Sequence, residues 1–212
     1  MDNNKCLKFS CTHCGNCCKD SKTIVNITHF DILRIQKGLR LTLEELIEIV
    51  GFYIYDQEIS EDNREKMVLN PILTQKGQAF IGLLKKNDGS CYFYDNSKKK
   101  CLIYNLRPLI CRTFPFHFEF SSTGLKEKEE DLKINYTQKA IEYCAGIGND
   151  APLIIIEEWL EKGKKTLNLF KKNDNINENW NKNVEKGKII PTVKLFLQSI
   201  LNLDNEIELD YP

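Results

Sequence analysis

Apolar residues recur at helical spacing in two short stretches of the N-terminal third. Ile32, Ile35 and Leu39 follow Thr28, while Leu43, Leu46, Ile47 and Val50 follow Thr42. An acidic residue, Asp31 or Glu45, stands three positions after each threonine, the arrangement of a reciprocal N-terminal capping box. The pattern predicts two short helices joined by a turn near Gly38, the second ending at Gly51. Further on, residues 67–94 fall into short apolar pieces broken at Asn70-Pro71, Gly77 and Asp88-Gly89, which predicts extended structure. Pro108 is placed to start a short helix carrying Cys111 and Arg112, and Pro115 to stop it.

Phe114, Phe116, Phe118 and Phe120 then alternate with other residues and predict a strand with one aromatic face. Leu132 to Tyr136 is its expected hairpin partner across the polar loop from Ser121 to Asp131, whose charge run from Glu127 reads as a solvated turn. The aromatic stripe reads as core rather than as a platform for stacked bases. A long helix is expected from a cap at Asp150 and a first turn at Pro152, with Leu153, Ile156, Leu160, Leu167 and Phe170 apolar and Glu157 and Glu158 facing solvent. Lys171 to Lys188, rich in Asn and Lys, reads as a solvated loop. A last amphipathic helix starts at Pro191 and carries Val193, Phe196, Ile200 and Leu201.

The expected fold class is therefore α+β, mainly α-helical with a small antiparallel β element and a metal-stabilised, cysteine-rich core. Two regions are expected: a cysteine-cluster metal-binding domain over 1–150, and a helical extension over 151–212 packed on it.

Composition sharpens this picture at one point. In 212 residues, 30 basic side chains balance 30 acidic ones, which removes the usual electrostatic case for nucleic acid or an anionic membrane as partner. No apolar run approaches the roughly 20 residues of a membrane span, and the first residues do not resemble a signal peptide. The expectation is a cytoplasmic protein with an unidentified redox or protein partner. Nine cysteines stand out, five of them within the first 18 residues. An odd count in a reducing compartment argues against a disulfide framework. Cys6 alone is explained by ordinary packing of a free thiol. The run Cys11-Thr-His-Cys14-Gly-Asn-Cys17-Cys18 is not, because thiolates this crowded repel unless a cation neutralises them.

The spacing Cys11-x2-Cys14-x2-Cys17 matches the first three ligands of bacterial-ferredoxin runs, in which a distant thiolate completes the cluster. Zinc sites also use C-x2-C, so spacing alone leaves iron–sulfur and zinc both open. Side chains of the adjacent Cys17 and Cys18 are expected to diverge, which points to two centres, Cys11, Cys14 and Cys17 with one distal cysteine and Cys18 with the other three; one centre with spare thiols is the alternative. The distal candidates are Cys91, Cys101, Cys111 and Cys144. Arg107 and Arg112 are placed to offset thiolate charge and hydrogen-bond to sulfur. With eight thiols at hand, His13 and His117 are unnecessary as ligands, and His29 reads as a structural histidine. A cysteine–histidine catalytic dyad is disfavoured, since a metal would inhibit its nucleophile, and no catalytic residue is assigned.

At these residues the chain resembles the YkgJ-like cysteine-cluster family, a zinc- or iron-chelating domain with a CxxCxxCC motif. The resemblance runs through Cys11 to Cys18, Cys91, Cys101-Leu-Ile-Tyr104, Arg107-Pro108, Cys111-Arg112-Thr-Phe-Pro115-Phe and Cys144-Ala-Gly146-Ile-Gly148, and covers roughly residues 6–150. It implies that Cys11, Cys14, Cys17, Cys18, Cys91, Cys101, Cys111 and Cys144 are the cluster cysteines, with Cys6 outside the motif. It also implies an iron–sulfur cofactor, one or two clusters of the 4Fe–4S type, with zinc as the alternative. A relative, the flagellin lysine N-methylase, joins such a cluster to methyl transfer from S-adenosylmethionine. No dinucleotide-type glycine fingerprint supports that activity here, because Gly146-Ile-Gly148 lacks the third glycine. The leading expectation is an iron–sulfur protein in electron transfer or redox sensing; a structural zinc protein and a cluster-containing methyltransferase are the alternatives.

Overall fold

The computed structural model describes residues 6–55, 68–120 and 132–203. The first residues of the chain, the loop from Ser121 to Asp131 and its charge run lie outside the described residues. Of the described residues, 43% are helical and 20% are in strands, an α+β fold. Among the described residues no helix is long and apolar enough to cross a membrane.

A helical turn α1 (Asn16–Lys19) is followed by α2 (His29–Leu39) and α3 (Leu43–Ile47). Both predicted capping boxes form: the Thr28 and Thr42 side chains accept from the backbone of Asp31 and Glu45, whose carboxylates accept in return. The turn between α2 and α3 falls later than expected. The helix runs through Gly38 and ends at Arg40, which adopts a left-handed φ of 56° and donates its N–H to the Gln36 and Lys37 carbonyls. Gly38 serves close packing instead, since a Cβ there would strike the Leu106 side chain.

An antiparallel sheet of order β1-β3-β2 comes next, built from β1 (Val50–Tyr55), β2 (Ile72–Thr74) and β3 (Gly77–Leu83). Val50 pairs with Leu83 and Ile72 with Ala79. A short hairpin joins β4 (Tyr94–Asp95) to β5 (Lys100–Cys101). Pro108 caps α4 (Leu109–Thr113), which stops before Pro115. The aromatic strand β6 (Phe116–Phe120) pairs with β7 (Leu132–Tyr136), and α5 (Gln138–Tyr143) follows. Phe116 is buried edge-on against Phe9 and Trp159, while Phe118 and Phe120 on the same face are half-buried, so the strand packs by its aromatic face.

The C-terminal part departs from the sequence reading at both ends of its long helix. That helix, α6 (Ile156–Glu185), starts six residues after the predicted cap at Asp150. The intervening segment is extended and pairs with the N-terminal stretch: Phe9 N donates to Pro152 O (2.9 Å) and Ile154 N to Leu7 O (3.0 Å). Leu153 is accordingly exposed rather than on a helix face. At the other end α6 continues through the segment read as a solvated loop. Asn173, Asn177 and Asn181 recur at helical spacing on its inner face, the first two buried and the third half-buried, and bond to backbone elsewhere. Asn173 accepts from His29 N (2.9 Å), Asn177 donates to Asn70 O (2.7 Å), and Asn181 holds both Leu73 N and Pro71 O (2.6 and 3.0 Å). Trp180 adds an indole bond to Leu73 O (2.9 Å). These bonds serve backbone groups at the start of α2 and in the β2 segment, and they override the low helix propensity of asparagine.

The last helix, α7 (Val193–Asn202), begins after a Thr192 cap and lies against α2 and α3. The core gathers Phe30, Leu33, Leu46, Ile72 and Leu83 with Trp180, Phe196, Leu197 and Ile200.

Candidate metal centre

The cysteine run is positioned by the stretch before it. The Tyr136 hydroxyl bonds to both the N–H and the carbonyl of Lys8 (2.7 Å each), and Ser10 N donates to Gly146 O (3.0 Å). This clamp sets Cys11 beside the end of α5, where Cys144 forms the C-cap. The chain then turns with positive φ at His13 (56°) and Gly15 (74°). Glycine is needed at the second of these, because a Cβ there would collide with the Tyr94 ring and hydroxyl. The Gly15 carbonyl accepts from Cys18 N and Lys19 N (3.0 Å each), closing α1.

Cys17 and Cys18 both lie on this turn, and successive helical residues point about 100° apart. Asn16 Nδ2 bonds to Tyr143 O (3.0 Å), and Cys91 N to Cys18 O (2.8 Å), so α1 is joined on one side to the Cys144 region and on the other to Cys91. Cys101 sits on β5 opposite Tyr94. Cys111 sits on α4, whose first residue Leu109 donates to the buried Asp31 carboxylate (2.9 Å).

Cys11, Cys14, Cys17, Cys101, Cys111 and Cys144 line one cavity of about 410 Å³. Cys18 and Cys91 lie behind it, packed with the hydrophobic core. Arg107 and Arg112 also line the cavity, with Lys100 and Lys162, and no carboxylate does so among the described residues. The Arg107 guanidinium lies 3.9 Å from the centre of the Tyr104 ring, which the His13 ring flanks at 4.7 Å. His13 thus belongs to the cavity wall. His117 is exposed beside Glu119, and the buried His29 ring meets Asn173.

Burial pushes the Cys91, Cys101, Cys111 and Cys144 thiols up, Cys111 most strongly, and neighbouring thiolates add to the effect. Cys17 is the exception: a hydrogen bond from the Cys18 thiol lowers it to about 7, with the Arg107 charge assisting. Donating that proton raises Cys18 in turn. Among the described residues no three Cys, His, Asp or Glu side chains stand close enough together to hold a metal ion as they are. The fold brings the thiols to one place without closing a coordination sphere.

Sequence reasoning missed Lys100, Tyr104, Tyr143, Trp159 and Lys162 as parts of this wall. Lys100 and Tyr104 had a signal in their nearness to Cys101. Trp159 and Lys162 had none, because α6 reaches the cavity only through tertiary packing.

Residues 10–145 match the family described as "CxxCxxCC: Putative zinc- or iron-chelating domain", and the chain belongs to that family. It is similar to an uncharacterized protein of Methanocaldococcus jannaschii, 28% identical over 142 residues, which are 66% of this chain and 59% of the relative. The chain thus spans about three fifths of that relative's length. No solved structure matches it. The donor set fits the chemistry in the family's description: soft thiols from well-separated segments, surrounded by cations.

Proposed function

We propose that this chain binds iron through its cysteine thiolates, as one or two iron–sulfur clusters of the 4Fe–4S type. It acts with a protein partner as a cytoplasmic redox protein, in electron transfer or redox sensing. The observation that carries this reading is the make-up of the cavity wall, six thiols and four cationic side chains with no carboxylate among the described residues. Hard cations such as magnesium and calcium take oxygen ligands, so this wall selects a thiophilic metal. A thiolate-held cluster supplies one-electron chemistry when bound.

The chain's own residues supply the rest. Cys11, Cys14, Cys17, Cys18, Cys91, Cys101, Cys111 and Cys144 are the thiolates available for ligation. Burial holds Cys91, Cys101, Cys111 and Cys144 protonated, so loading expels their protons and is favoured by rising pH. A centre with four thiolates is a net anion, and Arg107, Arg112, Lys100 and Lys162 stand in the same wall to offset that charge. Because the thiols do not yet stand at coordinating distance, loading draws the exposed Cys11–Cys17 run towards the others. Metal then ties five chain segments together and stabilises the cysteine-rich part of the fold.

The test is to purify the protein without oxygen and measure iron, zinc and acid-labile sulfide per chain, together with visible absorption. A brown protein with equal iron and sulfide is expected. A colourless protein with stoichiometric zinc and no sulfide overturns the redox reading and makes this a structural zinc domain.

A further inference from the structure

We infer that the eight cysteines form two metal centres at different depths, an outer one of Cys11, Cys14, Cys17 and Cys144 and an inner one of Cys18, Cys91, Cys101 and Cys111. The inference rests on the metal-binding reading above and names the ligands of each centre, which sequence spacing leaves open.

Packing separates the two sets. Cys91 belongs to the buried core cluster, and Cys18, Cys101 and Cys111 pack directly against it. Cys11, Cys14 and Cys17 are exposed, Cys144 is half-buried, and none of these four is part of that packing. The chain path gives the same division. Cys144 is bracketed against the Cys11–Cys17 run by two bonds, Asn16 to Tyr143 O one residue before it and Ser10 N to Gly146 O two residues after it. On the inner side the Cys91–Cys18 backbone bond joins two members, and the β4–β5 hairpin places Cys101 opposite Tyr94, three residues after Cys91.

Cys17 stands on the boundary, next to Cys18, but it is exposed like Cys11 and Cys14 and lies outside the core packing that takes in Cys18, which puts it with the outer set. Cys101 and Cys111 reach both the cavity and the core, and so form the floor between the centres. An outer centre with three exposed thiols is more open to chelator and oxidant than an inner one whose four thiols lie in or against the core.

The depth difference gives a test on the unmutated, metal-loaded chain. A chelator is added under argon with iodoacetamide present, and the alkylated cysteines are mapped by mass spectrometry as metal leaves. The first half of the metal is expected to leave with labelling of Cys11, Cys14, Cys17 and Cys144, the second with Cys18, Cys91, Cys101 and Cys111. The exposed Cys6 labels from the start. Labelling of Cys144 with the second half, or of Cys18 with the first, overturns the assignment. A single phase in which all eight appear together overturns the two-centre arrangement. Protein that takes up no metal sinks the underlying metal-binding reading instead. Variants provide a second check: Cys144→Ala and Cys14→Ala, alone or combined, each lose the same half of the metal, whereas Cys144→Ala with Cys18→Ala loses all of it. Complete loss from Cys144→Ala combined with Cys14→Ala assigns them to different centres and overturns the proposal.

Discussion

The cysteine run from Cys11 to Cys18 and the asparagine-lined half of α6 are both dense in small polar side chains, yet the fold treats them in opposite ways. Along α6, Asn173, Asn177, Asn181 and Trp180 each bond to backbone groups of distant segments, and the helix is anchored by them. Around the cavity the thiols mainly meet one another, and burial disfavours the charge that ligation requires. A polar region satisfied within the chain is architecture. One whose buried thiols meet one another and basic side chains, with no carboxylate among the described residues, has the charge balance of a site for thiolates.

Breaking the architectural side should have the largest effect. Trp180→Ala removes a buried indole packed edge-on against Phe196 together with its bond to Leu73 O, and should cost about 3–5 kcal/mol in urea denaturation. A loss well under this range would mean that the C-terminal half of α6 contributes little to the core. Next, Asn177→Ala leaves the Asn70 carbonyl unpaired and should cost about 1–3 kcal/mol, equally with and without metal. Cys14→Ser should behave differently, changing the metal-free protein by no more than about 0.5 kcal/mol, as for an exposed residue, while removing the share of metal-conferred stabilisation that the outer centre supplies. Equal penalties for Cys14→Ser in the two states would erase the contrast between the regions.

A pH effect belongs to the α6 side. Burial holds His29 below the ordinary histidine range, so the unfolded chain binds a proton at this position before the folded one does. Its contribution to stability is full above the unfolded value of about 6.5 and is lost as pH falls through the depressed folded value. NMR titration of the ring should show that depression, and His29→Gln should flatten the acid limb of the stability curve. A ring titrating at or above the ordinary value would remove this term. The smallest effect is expected of Cys6→Ser, which should leave metal content and stability unchanged. Any metal loss there would add Cys6 to the ligand set.

How much was legible depended on the range of the interaction responsible. The boxes at Thr28 and Thr42, the Pro108 helix start and the alternating phenylalanine strand are local features and all appear, the strand without Phe114, which caps the preceding helix. The helical path from Lys171 to Glu185 was not legible, because its asparagines are held by partners about a hundred residues away in sequence. The displaced start of α6 has the same cause, since residues 152–154 are held extended by Leu7 and Phe9. The cysteines were legible as a set, and the spacing of Cys11, Cys14 and Cys17 marks a thiophilic site wherever the chain takes it.

The sequence alone therefore determined that this chain belongs among the zinc- or iron-chelating cysteine-cluster proteins, because that identity rests on residue types in a fixed order. Tertiary structure decided which thiols share a neighbourhood, that cations and not carboxylates face them, and that Trp159 and Lys162 from α6 complete their cavity. The physical reason is that side-chain chemistry is carried by each residue, whereas burial, charge environment and proximity arise only when distant segments pack together.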